Sequence, residues 1–298
     1  MDCETITTAD RVLSHAPPLL ATEEELAPDQ IAATQSRRSY KTTRSQFPEI
    51  TAAGDKVDAK AHVAKGTSST VFGAFFIAIL GTLLGILFSY GILLIVLLLY
   101  PLFARYLHKK ATALLHGSGI RVSETQFPEI HRCVKDFAGR LELNKEVDVY
   151  IVEANVKNAA AVRYGKKNIV ILTDDLIHGC VASGHPEALA FVIGHELAHI
   201  ALNHNSVFRS WMARQMKKLG RLDEYSADAV ASALVQDKGA AFHGLLLLTV
   251  GHALLRYVNL ESVIQQTEEV AQNKYSTKAE KTLSHPLLLN RLHRVLQA

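Results

Sequence analysis

The sequence has few cysteines and no long run of basic residues, and each absence excludes a class of function. Its 298 residues include three cysteines, Cys3, Cys133 and Cys180, which form no CxxC pair. A zinc knuckle or a thiol redox motif is therefore excluded, and the thiols are typical of a reducing compartment. The net charge is +3, without a basic stripe that carries interleaved aromatic residues. We therefore expect no nucleic-acid partner.

Charge is absent from residues 66–104. A single helix over this stretch would be about 58 Å long, whereas the hydrocarbon core of a bilayer is about 30 Å thick. The sequence therefore favours two membrane spans in a helical hairpin that turns near residues 89–91, although one tilted span stays possible. The stretch begins too far into the chain, and is too long, for a cleaved signal peptide. We predict a transmembrane segment over residues 66–108 in an integral membrane protein, with the lipid bilayer as one partner.

Basic residues flank this segment on both sides, and they indicate its orientation. A hairpin puts both flanks on one side of the membrane, which the positive-inside rule makes the cytoplasmic side. A single span would put three basic residues on each side of the membrane, so the rule would then indicate no orientation. The hairpin therefore predicts that the domain after it is cytoplasmic. The flanking residues are Lys56, Lys60, Lys65, Arg105, Lys109 and Lys110.

The remaining sequence divides into a polar beginning and an apolar, patterned end. Residues 1–65 are polar and show little periodicity, which predicts a flexible arm. Residues 109–298 predict a folded domain of class α+β, mostly helical. In it, "VDVYIVEA" and "KNIVILT" are expected to pair as a β-hairpin around the turn-forming "RYGKK". Helices are expected from about Pro186, over "LDEYSADAVASALVQ", and over "AAFHGLLLLTVGHALLRYV" as a buried core helix.

The stretch "VIGHELAHIALNH" carries His195, Glu196 and His199 in an otherwise apolar helix. Residues four apart lie on one face of a helix, so the two imidazoles can bind one divalent metal ion. Glu196 follows the first ligand and can take a proton from a water molecule at the metal. Unpaired burial of these groups would be costly, which favours a metal site over chance.

A third ligand is needed, and two residues of "LDEYSADAVA" are the best candidates. Glu224 and Asp228 are again four apart on one helical face. Glu224 would complete a site of two histidines and one carboxylate, and Asp228 would hydrogen-bond a ligand imidazole. A solvated acidic face is the alternative that the spacing leaves open. His204 is a poor third ligand, because the helix turns it away from His199, and it is expected to be a polar residue at the helix end.

Three motifs, "GHELAHIALNH", "RLDEYSADAVA" and "SHPLLLNR" in this order, resemble peptidase family M48. This family of membrane-associated zinc endopeptidases includes the HtpX quality-control proteases and the CAAX-prenyl proteases. The resemblance runs from about Gln126 to the C-terminus. It implies a zincin-like metalloprotease domain with one Zn²⁺ per subunit, ligated by His195, His199 and Glu224, with Glu196 as the general base. One hydrophobic hairpin, rather than many spans, favours an HtpX-like protein over a prenyl protease.

The resemblance also assigns supporting roles. It implies that "NAAAV" forms an edge strand, along which Asn158, Ala159 and Ala160 pair with an extended substrate. His285 would hydrogen-bond the oxyanion, although a histidine before proline often only packs a loop. Arg291 would pair with Asp228, with a plain surface salt bridge as the alternative.

These observations together predict a membrane-anchored, zinc-dependent endopeptidase. Its substrates would be polypeptides in or near the membrane, such as damaged or unassembled membrane proteins. The main alternative is a catalytically inactive, membrane-tethered zinc-binding chaperone or scaffold, which would need a fourth protein ligand to close the metal site. Hydrolysis of another kind of amide is a third possibility.

Overall fold

Two long apolar helices come first in the computed structural model, which describes residues 47–50, 54–154 and 158–297. Helix α1 (Thr67–Phe88) and helix α2 (Ile92–Ser118) are joined by a three-residue turn that ends at Gly91, where φ is +85°. Both helices are long and apolar enough to cross a membrane, and their bulky side chains are exposed. The predicted helical hairpin is therefore present, with its turn at the predicted residues.

The end of the predicted flexible arm is folded onto the domain. Residues 54–65 include a short 3₁₀ helix, and the backbone N–H of Ala64 donates to Ser226 Oγ at 2.9 Å. Ile50 is 4% exposed and belongs to the main core. The arm prediction is wrong for this part, because its scattered apolar side chains are buried although they follow no regular period. Residues 1–46 and 51–53, the rest of the arm, lie outside the described residues.

The four strands form one mixed sheet in the order β1-β2-β4-β3. Strand β1 is antiparallel to β2, β2 is parallel to β4, and β3 is antiparallel to β4. This order leaves β3 at one edge of the sheet. The strands are β1 (Ile120–Arg121), β2 (Val147–Val152), β3 (Ala159–Tyr164) and β4 (Lys167–Thr173).

The predicted β-hairpin has the right turn but the wrong first strand. The turn at Gly165, where φ is +64°, joins β4 to the alanine-rich β3, and β2 instead pairs in parallel with β4. Alanine has low strand propensity, so the pattern of β-branched residues indicated β2 as the partner of β4. A two-residue turn can join only strands that are adjacent in sequence, and that adjacent strand is β3.

The helices pack on one another and on the sheet around a central helix, α5. Twelve of the fifteen residues of α5 are buried, as expected for a helix that is apolar on every side. The class is mostly helical α+β, as predicted. The helices after the hairpin are α3 (Pro128–Arg140), α4 (Asp174–Ala182), α5 (Glu187–Ala201), α6 (Val207–Gln215), α7 (Lys217–Val235), α8 (Lys238–Leu255), α9 (Leu260–Gln272), α10 (Lys274–Glu280) and α11 (Leu288–Gln297).

Helix α8 is also long and apolar enough to cross a membrane, but it packs in the core. Its residues from Ala240 to Leu247 include most of its buried side chains, which cover α5. The helix is kinked at Gly251, where φ is +70° and ψ is 163°. This burial agrees with the expected core helix.

The contact between α8 and α5 yields a prediction about stability. A Cβ atom added at Gly244 would lie 3.0 Å from Phe191 Cδ1 and 3.2 Å from the carbonyl oxygen of Ala188. We expect Gly244→Ala to lower the free energy of unfolding by about 1–3 kcal/mol, because the packed interface must shift. The measurement is urea denaturation of the protein in detergent.

Gly139→Ala on α3 is the matched control, since an added Cβ atom there meets nothing within 4 Å. Alanine should stabilise that helix by about 0.5–1 kcal/mol relative to glycine. Equal stabilisation by both substitutions would contradict the close contact at Gly244.

Candidate metal centre

Helices α5 and α7 bring three metal-ligating side chains together. His195, His199 and Glu224 each offer an atom that lies within 4.8 Å of the other two. The Nε2 atoms of the two histidines are 3.1 Å apart. The carboxylate oxygens of Glu224 lie 3.5 Å from Nε2 of His195 and 3.6 Å from Nε2 of His199. The three predicted ligands therefore converge on one point.

Small residues let the two helices approach closely enough for this contact. A Cβ atom added at Gly194 of α5 would lie 3.4 Å from the Cα of Ala231 on α7. Ala227 and Ala231 are fully buried at the same interface. Because the helix axes are close, the Glu224 side chain reaches the imidazoles of the facing helix.

Asp228 and Arg291 fix the orientation of His195. The Nδ1–H of His195 donates to Asp228 Oδ1 at 2.9 Å. Arg291, on α11, donates to both oxygens of Asp228 at 2.8 and 2.7 Å, and its Nη1 lies 3.4 Å from Glu224 Oε2. With the proton on Nδ1, the Nε2 lone pair of His195 is directed to the other ligands.

His199 is held by a second chain of contacts, which sequence reasoning missed. Its Nδ1 lies 3.0 Å from Nδ1 of His204, and Nε2 of His204 lies 3.4 Å from Asp223 Oδ1. Arg209 in turn donates to both oxygens of Asp223. His204 lies just past the C-terminal end of α5, as expected, where its N–H donates to the carbonyl oxygen of His199 and its buried side chain is the partner of a candidate ligand. Asn203, where φ is +57°, ends the helix in the left-handed conformation that brings His204 back to His199.

The charges in the site are those expected before a cation binds. Burial alone would lower the pKa of His195, but its hydrogen bonds to Asp228 and Glu224 raise that pKa to about 10. Burial and the neighbouring His195 lower the pKa of His199 to about 4. Burial opposes ionisation of Glu224, but both histidines and Arg291 hold its pKa well below the usual range. A metal ion would displace the proton on His195.

Glu196 faces the same cavity, which has a volume of about 460 Å³. Its side chain is buried, and burial raises the pKa of its carboxyl group, with a further contribution from Glu224. The imidazole of His195 and the backbone amide of Ala161 on β3 oppose this rise. The proposed base is thus close to both the ligands and the edge strand.

Strand β3 presents backbone groups that do not pair with β4 along one side of this cavity. The N–H of Thr173 donates to the carbonyl oxygen of Asn158, so this pair is hydrogen-bonded. In an antiparallel ladder such pairs alternate, and the backbone groups of Ala159 and Ala161 therefore point away from β4. Both residues line the cavity, together with Asn158. By the same alternation, Ala160 pairs with β4, and Ala161 is the edge residue that the sequence prediction omitted.

His285 lies at the mouth of the cavity. Its Nε2 is 3.8 Å from Glu224 Oε1, and its side chain is 70% exposed. Ser284 Oγ lies 3.1 Å from its Nδ1. The side chain is therefore near the ligands and open to an incoming molecule.

The donor set fits a zinc ion. Two imidazole nitrogens and one carboxylate oxygen, each imidazole with a hydrogen-bond partner on its other nitrogen, are typical of catalytic zinc sites. Among the described residues, the ligand group contains no fourth histidine, cysteine or carboxylate. Such a set leaves one coordination position for solvent or substrate.

Comparisons with known proteins agree with this geometry. Residues 124–217 match the model of peptidase family M48, a range that includes His195, Glu196 and His199. "Protease HtpX homolog" of Thermodesulfovibrio yellowstonii is 32% identical over 153 residues, which are 51% of this chain and 51% of that protein. "Protease HtpX homolog 1" of Streptomyces coelicolor is 27% identical over 149 residues, 48% of this chain and 46% of that protein.

The chain thus spans about half the length of the curated relatives that it matches. No solved structure matches it. The chain is therefore similar to peptidase family M48 over residues 124–217, and over about half its length to two proteins that are named as HtpX homologues.

Proposed function

We propose that this protein is a membrane-anchored, zinc-dependent endopeptidase. The observation that carries the proposal is the convergence of His195, His199 and Glu224 in one cavity with Glu196. An edge strand with backbone groups that point away from β4 lines the same cavity. This combination supplies a metal site, a proton acceptor and a place for an extended peptide.

The residues of the cavity would have different roles in hydrolysis. His195, His199 and Glu224 would hold the zinc ion, which when bound supplies a Lewis acid that polarises the substrate carbonyl and lowers the pKa of water. Glu196 would accept a proton as the water oxygen bonds to the carbonyl carbon. It would then pass that proton to the amine nitrogen as the C–N bond breaks.

His285 and Arg291 would support these steps from the rim of the cavity. The exposed imidazole of His285 would donate a hydrogen bond to the oxyanion. Arg291 would keep Asp228 ionised and in place, because it donates two hydrogen bonds to that carboxylate.

Strand β3 would bind the substrate by β-augmentation. The N–H and C=O groups of Ala159 and Ala161 point away from β4 and are suited to pair with an extended peptide, which would replace the contacts that Asn158 Oδ1 and Glu196 make with those N–H groups. Such pairing makes little demand on side chains. A broad range of unfolded polypeptides would therefore fit.

The hairpin of α1 and α2 would place this cavity at a membrane. We propose residues 66–108 as the membrane segment and residues 109–298 as the peptidase domain, on the cytoplasmic side because basic residues flank both ends of the hairpin. Membrane or membrane-proximal polypeptides, including damaged or unassembled membrane proteins, are the substrates that this arrangement favours.

An inactive zinc-binding scaffold is the rival function. It would have no use for Glu196, and a structural zinc site is closed by a fourth protein ligand, which the ligand group lacks among the described residues. Proteolysis by the unmodified protein and by the Glu196→Gln variant distinguishes the two functions.

Glu196→Gln should abolish proteolysis of an unfolded polypeptide, with kcat lower by about 10²–10⁴-fold, because the amide cannot accept the proton. Zinc content, measured by mass spectrometry, should be unchanged. Glu187→Gln on the same helix is the control, since that residue pairs with His185 outside the cavity. Full activity of the Glu196→Gln protein would mean that Glu196 is not the general base. Inactivity of the unmodified protein would favour the scaffold function.

Asp228→Asn should weaken zinc binding by about 10–100-fold, because His195 loses the acceptor that orients it. The measurement is competition with a chelator of known affinity. Asp148→Asn is the control, since Asp148 also pairs with an arginine, Arg121, but lies on the sheet. Equal zinc affinity in both variants would mean that Asp228 has no part in holding the ligand.

Ala161→Pro should lower kcat/KM for an unfolded polypeptide by about tenfold, because proline removes an N–H group that points away from β4, contacts Glu196 and would pair with the substrate. The β4 ladder should persist, since proline is tolerated where the N–H points away from the sheet. Arg163→Pro is the control, because its N–H points the same way but Arg163 is not among the residues that line the cavity. Similar losses in both variants, measured at equal zinc content, would argue against pairing along this edge.

A further inference from the structure

Helix α6 presents an apolar face to the outside of the domain. Val207, Phe208 and Trp211 are 52%, 47% and 41% exposed. They occupy neighbouring positions on one side of the helix, and Met212, one turn after Phe208, is buried beside them. Three large apolar side chains exposed together on a nine-residue helix indicate a surface that binds something.

This face is continuous with the lipid-facing surface of α1. The rings of Phe208 and Phe75 meet edge to face, with centroids 5.9 Å apart, and Phe208 stacks with Trp211 at 6.1 Å. Beneath them, Ala74 of α1, Met212 of α6 and Leu219 of α7 form a small separate core. Helix α6 is therefore attached to the first membrane helix rather than merely near it.

The length of α1 sets the depth of this contact. At 1.5 Å per residue, Phe75 lies about 20 Å along the helix from Phe88, where the hairpin turns. A hydrocarbon core about 30 Å thick, with the turn at its far surface, would place Phe75 about 10 Å inside the near surface. Phe208, whose ring centroid is 5.9 Å from that of Phe75, would then lie within about 6 Å of that depth, close to the roughly 5–10 Å to which interfacial helices bury their apolar faces.

The residue types of α6 and its C-terminal end agree with this depth. Tryptophan is enriched at membrane interfaces, where its ring is partly in an apolar environment and its N–H is in a polar one. Arg214, Lys217 and Lys218 are exposed at the end of α6 and the start of α7. These cationic side chains would lie near the membrane surface and contact anionic headgroups.

The other side of the same helix forms part of the metal cavity. Ser210, Ala213 and Arg214 line that cavity together with the ligands. A single helix of nine residues thus lies between the cavity and the apolar patch.

We propose that α6 is an interfacial helix, with Val207, Phe208 and Trp211 inserted among the lipids, so that one wall of the metal cavity lies at the membrane surface. This inference rests on the proposed membrane placement of the α1–α2 hairpin, and not on the peptidase chemistry. The partner is the bilayer itself, because the patch continues the surface that α1 exposes to lipid.

The chain contains one tryptophan, so its fluorescence reports on Trp211 alone. The full chain would be reconstituted in phosphatidylcholine–phosphatidylglycerol liposomes, with or without lipids brominated near the top of the acyl chain. We expect the brominated lipids to quench Trp211 emission and aqueous acrylamide to quench it weakly. Brominated lipids with the label deeper in the chain should quench less.

A matched control moves the tryptophan away from the membrane. Ile120 is 53% exposed and follows α2, whose 27 residues span about 40 Å from the turn, so that its end lies about 10 Å beyond a hydrocarbon core about 30 Å thick. In a protein that combines Trp211→Phe with Ile120→Trp, acrylamide should quench the emission and brominated lipids should not.

Two fluorescence results would overturn the proposal. Ready quenching of Trp211 by acrylamide would mean that the patch is in water. Protection from acrylamide without quenching by brominated lipids would mean that a second copy or another protein covers it. Failure of the protein to float with the liposomes would overturn the membrane placement too. A proteolysis assay on the same sample reports on the metal site separately, since activity does not depend on where Trp211 lies.

Discussion

The close packing of α5 against α7 is the contact on which the site depends. Two ligands lie on one helix and the third on the other, so the distance between the helix axes decides whether a single ion can touch all three. Gly194 and Ala231 keep that distance short. A larger side chain at either position would separate Glu224 from the imidazoles while leaving each helix intact.

Burial of so many charged groups is possible because each has a partner. Asp228 accepts from His195 and Arg291, and Asp223 accepts from Arg209 and lies beside His204. Without such partners, the transfer of these carboxylates from water would cost several kcal/mol each. The two arginine–aspartate pairs therefore lower the cost of burial. They also hold the Nδ1 atoms of the two imidazoles, directly at His195 and through His204 at His199. Stability and ligand geometry come from the same hydrogen bonds.

Helix periodicity accounts for what the sequence predicts well. The spacing of His195 and His199, and of Glu224 and Asp228, is local, because four residues along a helix always return to one face. The apolar hairpin is predictable for the same kind of reason, since its length is compared with a fixed membrane thickness. These features need no knowledge of the tertiary structure.

What the sequence does not predict depends on contacts between distant segments. Strand β4 has two neighbours, and its residues alone do not reveal that the alanine-rich β3 is one of them. Residues 54–65 have no regular apolar period, yet they pack on α7 through contacts such as that of Ala64 with Ser226. His204 follows Asn203, a residue type that often ends helices, but the contact of its imidazole with that of His199 and with Asp223 depends on the packing of α5 against α7. Sequence thus predicts the ligands more fully than it predicts the residues that orient them.

The same long-range contacts tie the metal centre to the membrane hairpin. Ala64, three residues before α1 begins, is hydrogen-bonded to Ser226, which follows Glu224 by two residues on α7. Leu219 of α7 packs with Ala74 of α1 and Met212 of α6. The helix that carries the third ligand is therefore fixed at two points to the helix that would enter the bilayer. Because neither point is a flexible linker, packing sets the position of the cavity relative to the α1–α2 hairpin.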